Sequence, residues 1–125
     1  MLYIGTDIIE ISRVRTAAAR HPAFYDRILT GREKAYCLEK ADPVPTLAGR
    51  FAAKEAVIKC LGVGLRGLSW RDFEIIPDDW GAPLVLFSET VKSILDEKAI
   101  KSVKVSISHS REYAVAVAVG EGDLK

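Results

Sequence analysis

Between Thr46 and Gly64 the sequence TLAGRFAAKEAVIKCLGVG opens on a residue suited to N-capping, runs through alanines and closes on Gly62, where a left-handed helix stop belongs. It reads as one helix. At about 100° per residue, Leu47, Phe51, Ile58 and Leu61 form an apolar stripe, while Ala52, Ala53, Ala56, Val57 and Cys60 leave much of the remaining circumference small and apolar. Such a helix belongs in a core. Yet it carries Arg50, Lys54, Glu55 and Lys59, and buried charge persists only when paired, hydrogen-bonded or holding a ligand. Two readings compete: an i,i+4 bridge between Glu55 and Lys59 with Arg50 and Lys54 snorkelling to solvent, or a binding site. The number of charges directs attention to the second.

A core helix needs a chain long enough to wrap it, and 125 residues, 49% of them apolar, make one domain with a real core. The net charge of +1 mixes both signs, so nothing global points to nucleic acid or to a membrane surface. Recognition by charge must be local. Cys37 and Cys60 lack metal-ligand spacing and read as reduced structural thiols of a cytoplasmic protein. No basic leader and no membrane-length apolar run is present, so a soluble, unexported protein is expected.

Leu2 to Ile11 reads as a strand whose alternation places Tyr3, Gly5, Asp7, Ile9 and Ile11 on one face. Asp7 would then stand among apolar neighbours beside a residue without a side chain, where a ligand can approach; an aspartate at a strand end facing water is the competing reading. Ser12 is placed to cap a basic helix ending at His21-Pro22. Arg13, Arg15, Arg20, Arg27 and Arg32, with Phe24 and Tyr25 among them, make either a solvated face or a surface for an acidic partner. Thr30 and Glu33 have capping-box spacing for a helix through Glu39, and Ala41 to Pro45 reads as a linker.

Gly62-Val63-Gly64-Leu65-Arg66-Gly67 matches GxGxxG, but it closes a helix and leads into the strand-like FEII, the reverse of the dinucleotide-binding context. It reads as a helix stop and turn, with glycines that also let backbone approach a ligand. PDDWGAP makes a turn before a strand from Leu84 to Phe87, and Ser88 caps a short helix with Val91, Ile94 and Leu95 inward. Val103 to Ile107 and Tyr113 to Val119 form a hairpin across SHSRE. His109 and its neighbouring serines cannot act as a nucleophilic couple, because adjacent strand residues face opposite ways. His109 is either exposed or an anion donor.

Asp7 and Glu55 together are two hard oxygen donors in apolar settings, and Arg50, Lys54, Lys59 and His109 are cations suited to a polyphosphate. That donor set describes a Mg²⁺ site completed by water and phosphate, and points to metal-assisted chemistry on a phosphorylated substrate.

The blocks GTDIIEISR, FYDRILTGRE, GRFAAKEAVIKCLGVG, GAP and VSISHSREYAVA, in that order over nearly the whole chain, resemble the holo-acyl-carrier-protein synthases. The resemblance implies an α+β 4′-phosphopantetheinyl transferase fold: one domain over residues 1–125, an antiparallel sheet around a long buried central helix. It implies Mg²⁺-dependent transfer of 4′-phosphopantetheine from coenzyme A to a serine of apo-acyl carrier protein for fatty acid biosynthesis, releasing adenosine 3′,5′-bisphosphate. By matching position, Asp7 and Glu55 would hold Mg²⁺, and Lys59 would face the pyrophosphate as a catalytic cation. Arg50 and His109 would meet the nucleotide end of coenzyme A, with Gly62 and Gly64 in the binding loop. The serine proton would pass to a carboxylate such as Glu55 or to a water on the ion. Arg13, with Arg20, Phe24 and Arg27, would contact the acidic carrier protein. The resemblance also implies a homotrimer with sites between subunits, His109 serving a neighbour. One position departs from the pattern: Ala82 stands where these proteins usually have lysine. The reading from another class is a coenzyme A or carrier-protein binding module without turnover; a dinucleotide-dependent oxidoreductase, resting on GxGxxG, is third.

Overall fold

A computed structural model of the chain describes residues 1–65 and 67–123. Its element order is β1 (Leu2–Glu10), α1 (Ile11–Arg20), α2 (Phe24–Ile28), α3 (Gly31–Leu38), α4 (Val44–Leu61), β2 (Phe73–Pro77), β3 (Pro83–Phe87), α5 (Glu89–Glu97), β4 (Ile100–His109) and β5 (Tyr113–Gly122), with a 3-10 turn at Trp70–Asp72.

The helix α4 is the expected organising element, but it starts earlier than Thr46. Asp42 Oδ1 accepts the Val44 N–H at 3.2 Å, and Pro45 fits the first turn because no intrahelical bond is asked of its nitrogen there. Thr46 is therefore inside the helix rather than its cap, and the expected linker is shorter by Val44 and Pro45. The stop at Gly62 is as expected, with φ +71° and its N–H donated to Ile58 and Lys59 carbonyls.

One antiparallel sheet of order β1-β5-β4 wraps α4. Ala114, Ala116 and Ala118 are fully buried on its inner face, and such small side chains let the helix lie close. Gly5, paired with Ala118, takes this furthest: a Cβ there would fall 2.0 Å from the Ala56 carbonyl oxygen and 2.6 Å from the Cys60 nitrogen. What approaches Gly5 is thus the helix backbone, not a ligand. A separate β2-β3 hairpin buries Phe73, Ile75 and Val85 in the same core.

The second core cluster joins α1, α2 and α3 to the start of α4 through Val14, Ile28, Leu29, Cys37 and Leu47. Helix α1 begins at Ile11 with Glu10 at the cap position, so Ser12 is not the cap; its carbonyl accepts the Thr16 hydroxyl instead. The short helix α2 was not expected. Thr30 and Glu33 form the expected capping box, and Ser88 Oγ caps α5 by accepting the Val91 N–H at 3.4 Å. Cys37 and Cys60 are free and buried, and burial pushes the Cys37 thiol up to about 11. Among the described residues no helix is long and apolar enough to cross a membrane.

Candidate active site

The four charges of α4 meet four different fates. Lys54 is fully buried and donates to the Ile28 carbonyl and to Glu33 Oε1, both at 2.6 Å. Glu33, equally buried, accepts the Thr30 N–H at Oε1 and the Ile75 N–H at Oε2, each at 2.9 Å. Burial pulls the Lys54 ammonium below its ordinary range, and Glu33 opposes that pull. Lys54 is therefore neither snorkelling nor available to a polyphosphate. It ties α3 and β2 to the central helix.

Lys59 does reach solvent, and its partner is Asp7 Oδ1 at 3.0 Å, with the Thr6 carbonyl at 3.1 Å. The i,i+4 bridge from Glu55 is not formed. Glu55 instead accepts the Trp70 indole N–H at 2.9 Å. The close crossing of β1 over α4 at Gly5 explains the convergence. Asp7, two residues along the same face of β1, lands on Lys59, and Glu55 stands one turn before Lys59 on the helix.

Asp7 and Glu55 are hard oxygen donors with no thiolate or imidazole bonded to either. As donor types they would suit Mg²⁺, an ion that combines one or two carboxylates with water and phosphate oxygens. Among the described residues no group of three or more His, Cys, Asp or Glu gathers into a complete cage.

Arg50, five residues before Glu55, lines a cavity of about 410 Å³ with Tyr36, Lys40, Gly81, Pro83 and His109. Its Nε donates to the Ile75 carbonyl at 3.3 Å, and its guanidinium lies 4.9 Å from the centre of the Tyr36 ring. The Lys40 ammonium is 4.4 Å from the same centre. Arg50 and His109, distant in sequence, thus share one cationic cavity. Lys40 and Tyr36 were not singled out from the sequence; a surface lysine and an aromatic on a short helix carry no local signal. Gly62 and Gly64, both at positive φ, stand three and five residues after Lys59. Arg66 of the GxGxxG stretch lies outside the described residues.

A second cavity, about 380 Å³, is lined by Ile8, Arg13, Val14, Phe24, Phe51 and Tyr113. Arg13 is 82% exposed and only 3.7 Å from Glu10, and it shares a shallower depression with Arg20. Arg27 is exposed on α2. The basic surface is narrower than the arginine count implies, because Asp42 takes Arg15 at 2.8 Å and Glu74 takes Arg32. From the sequence Phe51 belongs only to the helix's apolar stripe.

The α+β fold and the cavity lined by Arg50 and Lys40 suit a phosphate-bearing ligand, and the relatives define the class. Residues 3–118 match the 4′-phosphopantetheinyl transferase superfamily. The chain is 45% identical over 121 residues to the holo-[acyl-carrier-protein] synthase of Caldanaerobacter subterraneus subsp. tengcongensis, covering 97% of this chain and 95% of that one. The crystal structure of the Neisseria meningitidis holo-[acyl-carrier-protein] synthase superposes with a TM-score of 0.87 at 37% identity, over 95% of this chain and 97% of that one. The Helicobacter pylori synthase, solved in complex with coenzyme A, does so at 0.83 and 36% identity, over 94% and 99%. The chain belongs to the 4′-phosphopantetheinyl transferase superfamily and is an enzyme of its holo-[acyl-carrier-protein] synthase family. The α+β fold expected from the sequence is the one these structures share.

Proposed function

We propose that the chain transfers 4′-phosphopantetheine from coenzyme A to a serine of apo-acyl carrier protein, as a single transferase domain spanning residues 1–125. The observation that carries this reading is the Asp7–Lys59 pair where β1 crosses α4, one turn along from Glu55 on the helix whose Arg50 lines a cavity with Lys40 and His109. Relatives of similar length have been solved with coenzyme A bound.

In this reading the cavity binds the nucleotide end of coenzyme A, with Arg50 and His109 on its phosphates and Gly62 and Gly64 admitting backbone to the pyrophosphate. The serine oxygen forms a new bond to the pantetheine-side phosphorus as the bond to the bridging pyrophosphate oxygen breaks. Lys59 offsets the charge that grows on the departing adenosine 3′,5′-bisphosphate. The serine proton passes to a carboxylate such as Glu55 or to a water at the site. Asp7 and Glu55 would hold Mg²⁺, which when bound polarises the pyrophosphate and draws the nucleophile toward it. Arg13, Arg20, Phe24 and Arg27, with Phe51 in the apolar cavity beside them, receive the acidic carrier protein.

The same reading makes the enzyme a cytoplasmic contributor to fatty acid biosynthesis, in keeping with two buried free thiols. It also makes the enzyme a homotrimer. In support, the outer sheet face leaves Leu2, Ile4, Ile8 and Val117 between 41% and 70% exposed.

The test is the intact mass of apo-acyl carrier protein after incubation with the enzyme, coenzyme A and Mg²⁺. A phosphopantetheine-sized gain that disappears with chelator and in Glu55→Ala is expected. No gain with several carrier proteins, from folded protein that still binds coenzyme A, would instead identify a binding module without turnover.

A further inference from the structure

Glu55 has a neighbour that no motif announced. Trp70 Nε1 donates to its Oε1 at 2.9 Å, across 15 residues of chain. The indole is held on both sides of that bond. Its ring meets Phe51 edge-on, with centroids 5.6 Å apart and planes at 83°, and Phe51 meets Phe24 in the same way at 6.3 Å and 85°. Its backbone opens the Trp70–Asp72 turn, where Ser69 Oγ accepts the Arg71 N–H at 3.2 Å and Asp72 Oδ2 accepts the Ser69 N–H at 2.7 Å. The Asp72 carbonyl accepts the Ser88 N–H at 2.9 Å, pinning the turn to the end of β3. The donor therefore arrives from a fixed direction.

An indole nitrogen only donates and carries no charge, so it orients a carboxylate without neutralising it. With Oε1 occupied, Oε2 is the oxygen that Glu55 keeps for something else. A lysine in the same place would have competed with a cation for the whole group. Lys59 is kept away from Glu55 by its own bond to Asp7.

We propose that Trp70 is a positioning residue: its N–H sets the Glu55 carboxylate so that Oε2 faces a divalent cation shared with Asp7. The proposal rests on the reading of Asp7 and Glu55 as the carboxylates that hold the ion. Groups that orient a metal ligand through its other oxygen or nitrogen are worth roughly 10- to 100-fold in metal affinity. The same range is expected from this one N–H.

The experiment uses Mn²⁺ as a spin probe, its binding to the coenzyme A complex followed by electron paramagnetic resonance. Trp70→Phe keeps a ring against Phe51 and loses the donor. It should weaken Mn²⁺ about tenfold, while coenzyme A affinity measured in chelator and the melting temperature stay at the wild-type values. Trp70→benzothienylalanine, the same shape with sulfur in place of N–H, should do the same and removes doubt over packing. As an independent readout, in Trp80→Phe the only indole left is Trp70, since Trp80 is 94% exposed on the β2-β3 turn, and Mn²⁺ should quench its fluorescence. Wild-type Mn²⁺ affinity in both position-70 variants would overturn the proposal while leaving the metal reading intact. Wild-type Mn²⁺ affinity in Glu55→Gln would overturn the metal reading and the proposal with it.

Discussion

At the scale of single residues, Lys54 and Glu33 are buried as a pair and every buried side-chain polar atom among the described residues has a partner. The pair pins α3 and β2 to α4 at the residue next to Glu55. Glu74, close by, accepts from Arg32 and from the Thr30 hydroxyl. The Arg32 guanidinium holds the Glu74 carboxyl below its ordinary value of 4.5, against the opposing effect of burial, and Thr30 adds to the lowering. A carboxyl lowered in the fold binds its proton more readily in the unfolded chain. The stability it contributes is therefore complete above the ordinary value and is lost as pH falls from there through the lowered one. Glu74→Gln should melt below the wild type at pH 7, with the gap narrowing as pH falls below the ordinary carboxyl value. Thermal melts of both proteins across that range check it; a gap independent of pH would remove the ionic origin.

At the scale of elements, the decisive contact is β1 against α4. Gly5 brings the strand backbone onto the Ala56 carbonyl, and Asp7 reaches Lys59 because of that approach. Gly5→Ala puts a methyl group where backbone already stands and no side chain can yield. The expected cost is about 3 kcal/mol, at the upper end for overpacking. Urea unfolding gives the number, and loss of turnover should accompany it even where the variant stays folded, because the Asp7-Lys59 pair is pushed apart. Gly120 faces the Cys60 sulfur from the same sheet with a milder 3.1 Å for an added Cβ. Its substitution should be felt less, since a side chain gives way more easily than backbone.

At the scale of the whole molecule, the proposed function divides the work between the two cavities. The cationic one lies between α3, the start of α4, the β2-β3 turn and the end of β4, and the apolar one lies between β1, α1 and α2 with Arg13 at its edge. Arg13→Glu should raise KM for carrier protein at least tenfold, by slowing encounter and misaligning the complex, and leave coenzyme A affinity unchanged. Calorimetry with coenzyme A and kinetics with carrier protein separate the two, and equal loss of both would refute the division. The outer sheet face belongs to this scale as well. Ile4 and Ile8 are 70% and 62% exposed on the same face of β1. Ile4→Glu, outside both cavities, should turn the proposed trimer into monomers by light scattering, with activity falling in step; a monomeric wild type would dismiss the assembly.

The long helix, its glycine stop, the Thr30–Glu33 capping box, the hairpins and the apolar strand faces were legible in the sequence, because propensity and periodicity act within a few residues of chain. The candidate residues were legible as well: Asp7, Glu55 and Lys59 stand out as charge in apolar surroundings. Which charge answers which was decided only in three dimensions. Local spacing favours Glu55 with Lys59, yet the structure pairs Lys59 with Asp7, Glu55 with Trp70 and Lys54 with Glu33, across 52, 15 and 21 residues. Helix spacing offers an i,i+4 partner worth a few tenths of a kcal/mol, whereas leaving a buried charge or donor unpaired costs several times more. The tertiary fold therefore satisfies its buried groups first, and that choice separates the lysine that builds the core from the one that faces the site.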